Sequence, residues 1–122
     1  HAPNKVQATT QAVREQFPND LFLACLELHT FSSLDVSFVQ TYANCLVQSD
    51  IAVVFIDDEA RKAKGKDLLD EQTIRNAFGD QSLYVFYEKE ALFNWLRQQP
   101  ASIVLLMSSG QYGGLDLQRL VD

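Results

Sequence analysis

Three polar clusters in this sequence carry side chains able to do chemistry. His29, Thr30, Phe31, Ser32 and Ser33 follow the apolar run LFLACLEL. Ser108, Ser109, Gly110, Gln111, Tyr112, Gly113 and Gly114 follow SIVLLM. His1 stands just ahead of Ala2-Pro3. Imidazoles and hydroxyls can bind polar groups or move protons, and glycines let a backbone approach a ligand closely. Each cluster also has a plain structural reading. His29 can bond to local backbone, Ser32 and Ser33 can cap a helix, and the glycines can serve a turn. The readings are compatible, because a helix N-terminus with serines is also an anion site.

Other chemistry finds little support. No GxxxxGK[ST] or GxGxxG occurs, so the chain by itself should not hold a nucleoside triphosphate strongly. Cys25 and Cys45 lack metal-site spacing and read as buried, reduced thiols. Asp57, Asp58 and Glu59 could gather Mg²⁺, and Arg61 to Lys66 could touch a phosphate. Both read more simply as one solvated, mobile loop over 57–67. The net charge of −6 argues against a nucleic-acid partner. No apolar run approaches the roughly 18 residues of a membrane span.

The elements that would position these clusters alternate. Residues 21–28 read as a buried strand with Glu27 its only charge, and 34–50 as a helix with Val36, Val39, Ala43 and Leu46 on one face. Before them, Val6, Thr10, Val13 and Phe17 repeat at helical spacing behind an Asn4 N-cap. After them come a strand at 51–56 and a helix from an Asp70 cap to Ala77, stopped by Gly79. A strand at 82–87, a helix at 88–98 burying Ala91, Leu92, Trp95 and Leu96, a strand at 102–107 and a helix at 115–121 close the chain.

Strict alternation predicts an α/β three-layer sandwich: a mostly parallel, Rossmann-like sheet with helices on both faces. The 122 residues suit one domain, and an apolar share of 47% suits a real core. The opening helix leads us to expect a further strand ahead of His1. In such a sheet the three clusters would share the carboxyl edge, where open α/β folds bind ligands. We therefore expect His29, Ser32, Ser109 and Tyr112 to line one cleft.

The ordered set of motifs resembles the C-terminal domain of the Mur ligases. His1-Ala2-Pro3 is similar to the second half of that family's Asp-aromatic-Ala/Gly-His-x-Pro motif. ACLELHTFSS resembles its next strand and turn, and LLMSSGQYGGLDLQRL its last strand and glycine-containing loop. The resemblance covers the whole chain. It looks closest to the branch that joins UDP-N-acetylmuramate to L-alanyl-γ-D-glutamyl-meso-diaminopimelate, with the L-alanine-adding branch as alternative.

The resemblance implies a longer, three-domain cytoplasmic enzyme of cell-wall recycling, using ATP and Mg²⁺ held mainly by a central domain. It implies partners in the N-terminal and central domains and in the UDP-sugar and peptide substrates, with no membrane. It places His1 near the nucleotide. It places His29, Thr30, Ser32, Ser33, Ser108, Ser109, Gly110 and Tyr112 at the incoming substrate, with no catalytic residue or metal ligand in this chain. One departure stands out. Many relatives carry Arg in the first turn, and this sequence has none between Arg14 and Arg61. A stand-alone α/β module such as a receiver is the competing class. A receiver needs Lys after its last strand, where Ser108-Ser109 stands here.

Overall fold

The computed structural model describes residues 2–29, 34–108 and 112. The expected helix at 115–121 lies outside them. Helix α1 (Pro3–Gln16) leads into strand β1 (Phe22–Glu27), followed by α2 (Val36–Val39) with a 3-10 turn (Gln40–Tyr42). Then come β2 (Ile51–Phe55), α3 (Asp58–Ala63), α4 (Glu71–Phe78), β3 (Tyr84–Phe86), α5 (Lys89–Arg97) and β4 (Ile103–Met107). The strands form one parallel sheet in the order β3-β2-β1-β4.

β1 is central, and all six of its residues are buried. Phe22, Ala24 and Leu26 pack with Val6 of α1, Val39 of α2 and Ile74 and Phe78 of α4. Leu23 and Cys25 pack with Leu92, Phe93 and Leu96 of α5 on the other face. Helices thus cover both faces, and the expected three-layer parallel sandwich is what the chain forms. Cys25 and Cys45 are buried, free and in different face clusters, which keeps them from pairing. Burial pushes the Cys25 thiol up to about 12 and raises Cys45 as well. At pH 8, neither thiol should react with a disulfide reagent on the timescale of minutes, and both should react in denaturant. Rapid labelling of the native chain would contradict this packing.

Several local expectations are corrected. Asn4 does not cap α1. The helix begins at Pro3, with Ala2 at the N-cap and no side-chain cap bond. Proline's fixed φ suits the first helical position, so Pro3 starts the helix. Thr10 is buried because its hydroxyl sits 3.1 Å from Cys45 O and 3.0 Å from Gln7 O. In α5 the buried residues are Leu92, Phe93 and Leu96, while Ala91 is exposed and Trp95 half-buried against Tyr84 and Phe86.

The largest correction is 34–50. A short α-turn at Val36–Val39 and a 3-10 turn at Gln40–Tyr42 form there, followed by turns, instead of one long helix. The chain leaves the helical region at Ala43 (ψ 127°), and Asn44 then takes a left-handed φ of 63° and donates its N–H to Phe78 O of α4. Tyr42 stacks on Phe78, with centroids 5.6 Å apart. Val39, Tyr42, Cys45 and Leu46 are buried as expected for the apolar set, but Val36 and Ala43 are exposed. Gly79 closes α4 at φ 68°, and a Cβ there would meet Asn44 Oδ1 at 3.1 Å. Gly79→Ala should therefore cost about 1–2 kcal/mol, from the left-handed φ plus crowding. A urea midpoint no lower than that of the parent would refute this account.

Residues 57–67 are likewise not a simple loop. Asp57 caps α3 through Glu59 N–H, acidic residues fill the first turn, and Arg61 and Lys62 the last. Charge and helix dipole therefore agree. At the start of the sheet, Asp50 accepts from Phe22 N–H at 2.9 Å and from Arg14 at 2.7 Å. These bonds, the backbone one foremost, hold its carboxyl below the usual carboxylate range. A lowered folded pKa contributes stability above the unfolded value near ~3.9, and that stability is lost as pH falls through the folded value. Asp50→Asn should flatten the acid limb of a urea-midpoint profile below about pH 4. An unchanged limb would dismiss the Asp50 clamp.

Candidate functional site

The strand order reverses between β1 and β4, which are adjacent and parallel. Their carboxyl ends open at one place, the switch point where open α/β sheets bind ligands. β1 hands its chain to Leu28 and His29 there, and β4 hands its chain to Ser108.

Glu27 is the centre of that edge. Its side chain has no exposed surface. A carboxylate so buried must find hydrogen bonds or be strongly disfavoured. Oε1 accepts from the Ser108 hydroxyl and from the Tyr112 N–H, the latter at 3.0 Å. Oε2 has no hydrogen-bond partner among the described residues. It lies 3.7 Å from His29 Nδ1, which also lacks one. The His29 side chain is about a third exposed (32%).

Tyr112 sits in the loop but turns inward. It is 3% exposed, and its ring stacks on Phe55 with centroids 5.9 Å apart. Its hydroxyl faces Met107 O at 2.8 Å and Cys25 O at 3.0 Å. Burial pushes the phenol pKa far up, so the hydroxyl stays a donor. Its φ of 52° is left-handed, and the turn aims its N–H at Glu27. The side chain of Tyr112 therefore anchors the loop, while its backbone serves the edge.

Of the expected site residues, His29, Ser108 and Tyr112 are brought together, with Glu27 joining them. Residues His1, Thr30, Ser32, Ser33, Ser109 and Gly110 lie outside the described residues, as does the full cleft they would complete. Sequence reasoning noted Glu27 as a lone charge and gave it no role. The available signal was an acid at the end of an otherwise apolar strand.

The two charged stretches are used internally. Asp58 pairs with Arg61 at 2.7 Å and Lys62 at 3.2 Å, and Lys66 with Asp35 at 2.6 Å. Arg61 also donates to Lys66 O. Among the described residues no three His, Cys, Asp or Glu side chains converge as metal ligands. No described helix is long and apolar enough to cross a membrane. A cavity of about 430 Å³ lies at the opposite edge, by Asp50, Gly79 and Tyr84 at the starts of β2 and β3. It is remote from the switch point, which we take as the site because the unpaired buried polar atoms are there.

This is a parallel α/β domain with the fold of the Mur ligases, and the resemblance read from its motifs is borne out by two comparisons. The chain is 28% identical over 115 residues to the UDP-N-acetylmuramate–L-alanine ligase of Christiangramia forsetii, covering 93% of this chain and 24% of that protein. It superposes with a TM-score of 0.69 on the crystal structure of a murein peptide ligase from Psychrobacter arcticus, at 14% identity, covering 99% of this chain and 25% of the other. The chain thus spans about a quarter of the length of each. No family model matches it.

Proposed function

We propose that these 122 residues are the C-terminal, substrate-receiving domain of a longer ATP-dependent peptidoglycan ligase, one that joins L-alanyl-γ-D-glutamyl-meso-diaminopimelate to UDP-N-acetylmuramate in cytoplasmic cell-wall recycling. The observation that carries this reading is the meeting of the two motif-bearing loops at the switch point through Glu27. The likeness to two ligases, each about four times as long as the chain, supports the role of one domain among several.

In this reading the chain binds and orients, and the acyl-phosphate chemistry belongs elsewhere. ATP and Mg²⁺ do not fit this chain: it has no phosphate-binding loop, and its described acidic groups do not converge. We therefore assign no phosphoryl step to it. His29, beside Ser108 at this edge, is the described group that would meet a polar substrate. His1, Thr30, Ser32, Ser33, Ser109 and Gly110 would extend that surface.

The test is a ligation assay. The gene product that carries this chain, given UDP-N-acetylmuramate, tripeptide, ATP and Mg²⁺, should release phosphate and form the UDP-linked peptide. The 122-residue chain alone should fold and form none. Ligation by the isolated chain would overturn the domain assignment, and none by the whole product would overturn the ligase reading.

A further inference from the structure

We infer that Glu27 is the positioning residue of this edge: its buried carboxylate holds the His29 imidazole with Nδ1–H directed at Oε2, leaving Nε2 as a hydrogen-bond acceptor for an amine of the ligand. The geometry of Glu27 comes first. Its side chain is fully buried, and Oε1 is held by Ser108 and Tyr112 from the loop after β4. With one oxygen fixed by two donors, the direction of the other is fixed as well. Oε2 faces His29 Nδ1 across 3.7 Å, and neither atom has another hydrogen-bond partner among the described residues.

Donor and acceptor inventory then decides the proton. An ionised carboxylate oxygen can only accept, so the ring nitrogen that faces it must carry the hydrogen. In a neutral imidazole the second nitrogen is then an acceptor. Nδ1 itself is buried, so the exposed third of the side chain belongs to its other atoms. A movement of under about 1 Å brings the pair to ordinary hydrogen-bond distance. The loop after β4 thus sets the tautomer of a residue in the loop after β1.

A ligand that uses this acceptor must bring an N–H. On the function proposed above, that group is the amine of the incoming peptide. The tautomer does not depend on that reading, and it can be measured without substrate.

The experiment is ¹⁵N NMR of the His29 imidazole in the 122-residue chain at about pH 9, well above the ~6.5 of an ordinary imidazole. We expect a protonated Nδ1 and an unprotonated Nε2, whereas an imidazole free in water prefers the reverse. Glu27→Gln should shift the ring toward the reverse form, because an amide can donate as well as accept. An Nε2–H ring in the parent chain would overturn the inference even if the variant does not fold. In the intact gene product, Glu27→Gln should raise KM for the amine substrate roughly tenfold, the cost of one misplaced hydrogen bond, and leave KM for ATP unchanged. An equal rise in both would also overturn it. Absence of ligation by the parent gene product would remove the ligase reading and leave the NMR result standing.

Discussion

Tyr112→Ala should lower the stability of the chain by about 3–5 kcal/mol, the range for deleting a buried aromatic ring. The ring is 3% exposed and stacks almost parallel on Phe55, with 8° between the planes. Phe55 is itself fully buried at the end of β2. Removing the ring opens a cavity beside Phe55. A loss of that size is a large part of the 5–15 kcal/mol typical of a whole domain. Tyr112→Phe keeps the ring and removes only the hydroxyl facing Met107 O and Cys25 O. It should cost about 1 kcal/mol. Urea denaturation of both variants separates the two contributions. If the alanine variant lost under 1 kcal/mol, the inward placement of the ring would be wrong. Equal losses for both would assign the effect to the hydroxyl instead.

That pairing of ring and loop was only partly legible in the sequence. The apolar runs at 21–28, 51–56 and 102–107 identify their strands because a parallel sheet covered on both faces needs uninterrupted apolar segments. Asp70 and Gly79 bound α4 through local capping, which short-range chemistry can report; Asp70 accepts from Thr73 N–H at 2.7 Å. The segment 34–50 misleads because its apolar spacing fits a helix equally well. The chain turns out of the helix at Ala43, and Asn44 N–H there bonds to Phe78 O, a partner over thirty residues away. The charges of 57–67 form the capping pattern of a short helix, and their density hides it.

The site shows the same division. The switch point follows from the alternation of strands and helices, so the shared edge of the His29 and Ser108 loops was foreseeable. The role of Glu27 was not, because its partners Ser108 and Tyr112 are 81 and 85 residues distant. In the sequence Tyr112 reads as a cleft-lining residue of a glycine-containing loop. Its ring turns inward because a hydrophobic slot beside Phe55 and two carbonyl acceptors await it. Only the assembled sheet creates that slot.

On the function we propose, the gene product that carries this chain should use the preformed tripeptide at least about 10²-fold better than L-alanine in kcat/KM. The names of the two ligases point to different amines, so likeness alone does not choose between them. The residues must decide. A single amino acid presents one carboxylate, which a close Arg grips through two parallel bonds. No Arg occurs between Arg14 and Arg61, and none in 108–114. Arg14 is held at the far edge by Gln48, Asp20 and Asp50, and Arg61 by Asp58 and Lys66 O. What the two loops offer instead is hydroxyls, one imidazole, and three glycines at 110, 113 and 114. Glycine as a residue type lets a backbone approach a ligand closely, which in the proposed function suits a long polar peptide better than one methyl group. Specificity of this kind comes from hydrogen bonds that the shorter substrate leaves unmade. A competition assay with equal tripeptide and L-alanine, saturating UDP-N-acetylmuramate, ATP and Mg²⁺ measures the ratio directly. If L-alanine gave the larger kcat/KM, the alanine-adding reading would replace the peptide-adding one, and the loops would have to bind a carboxylate without an arginine.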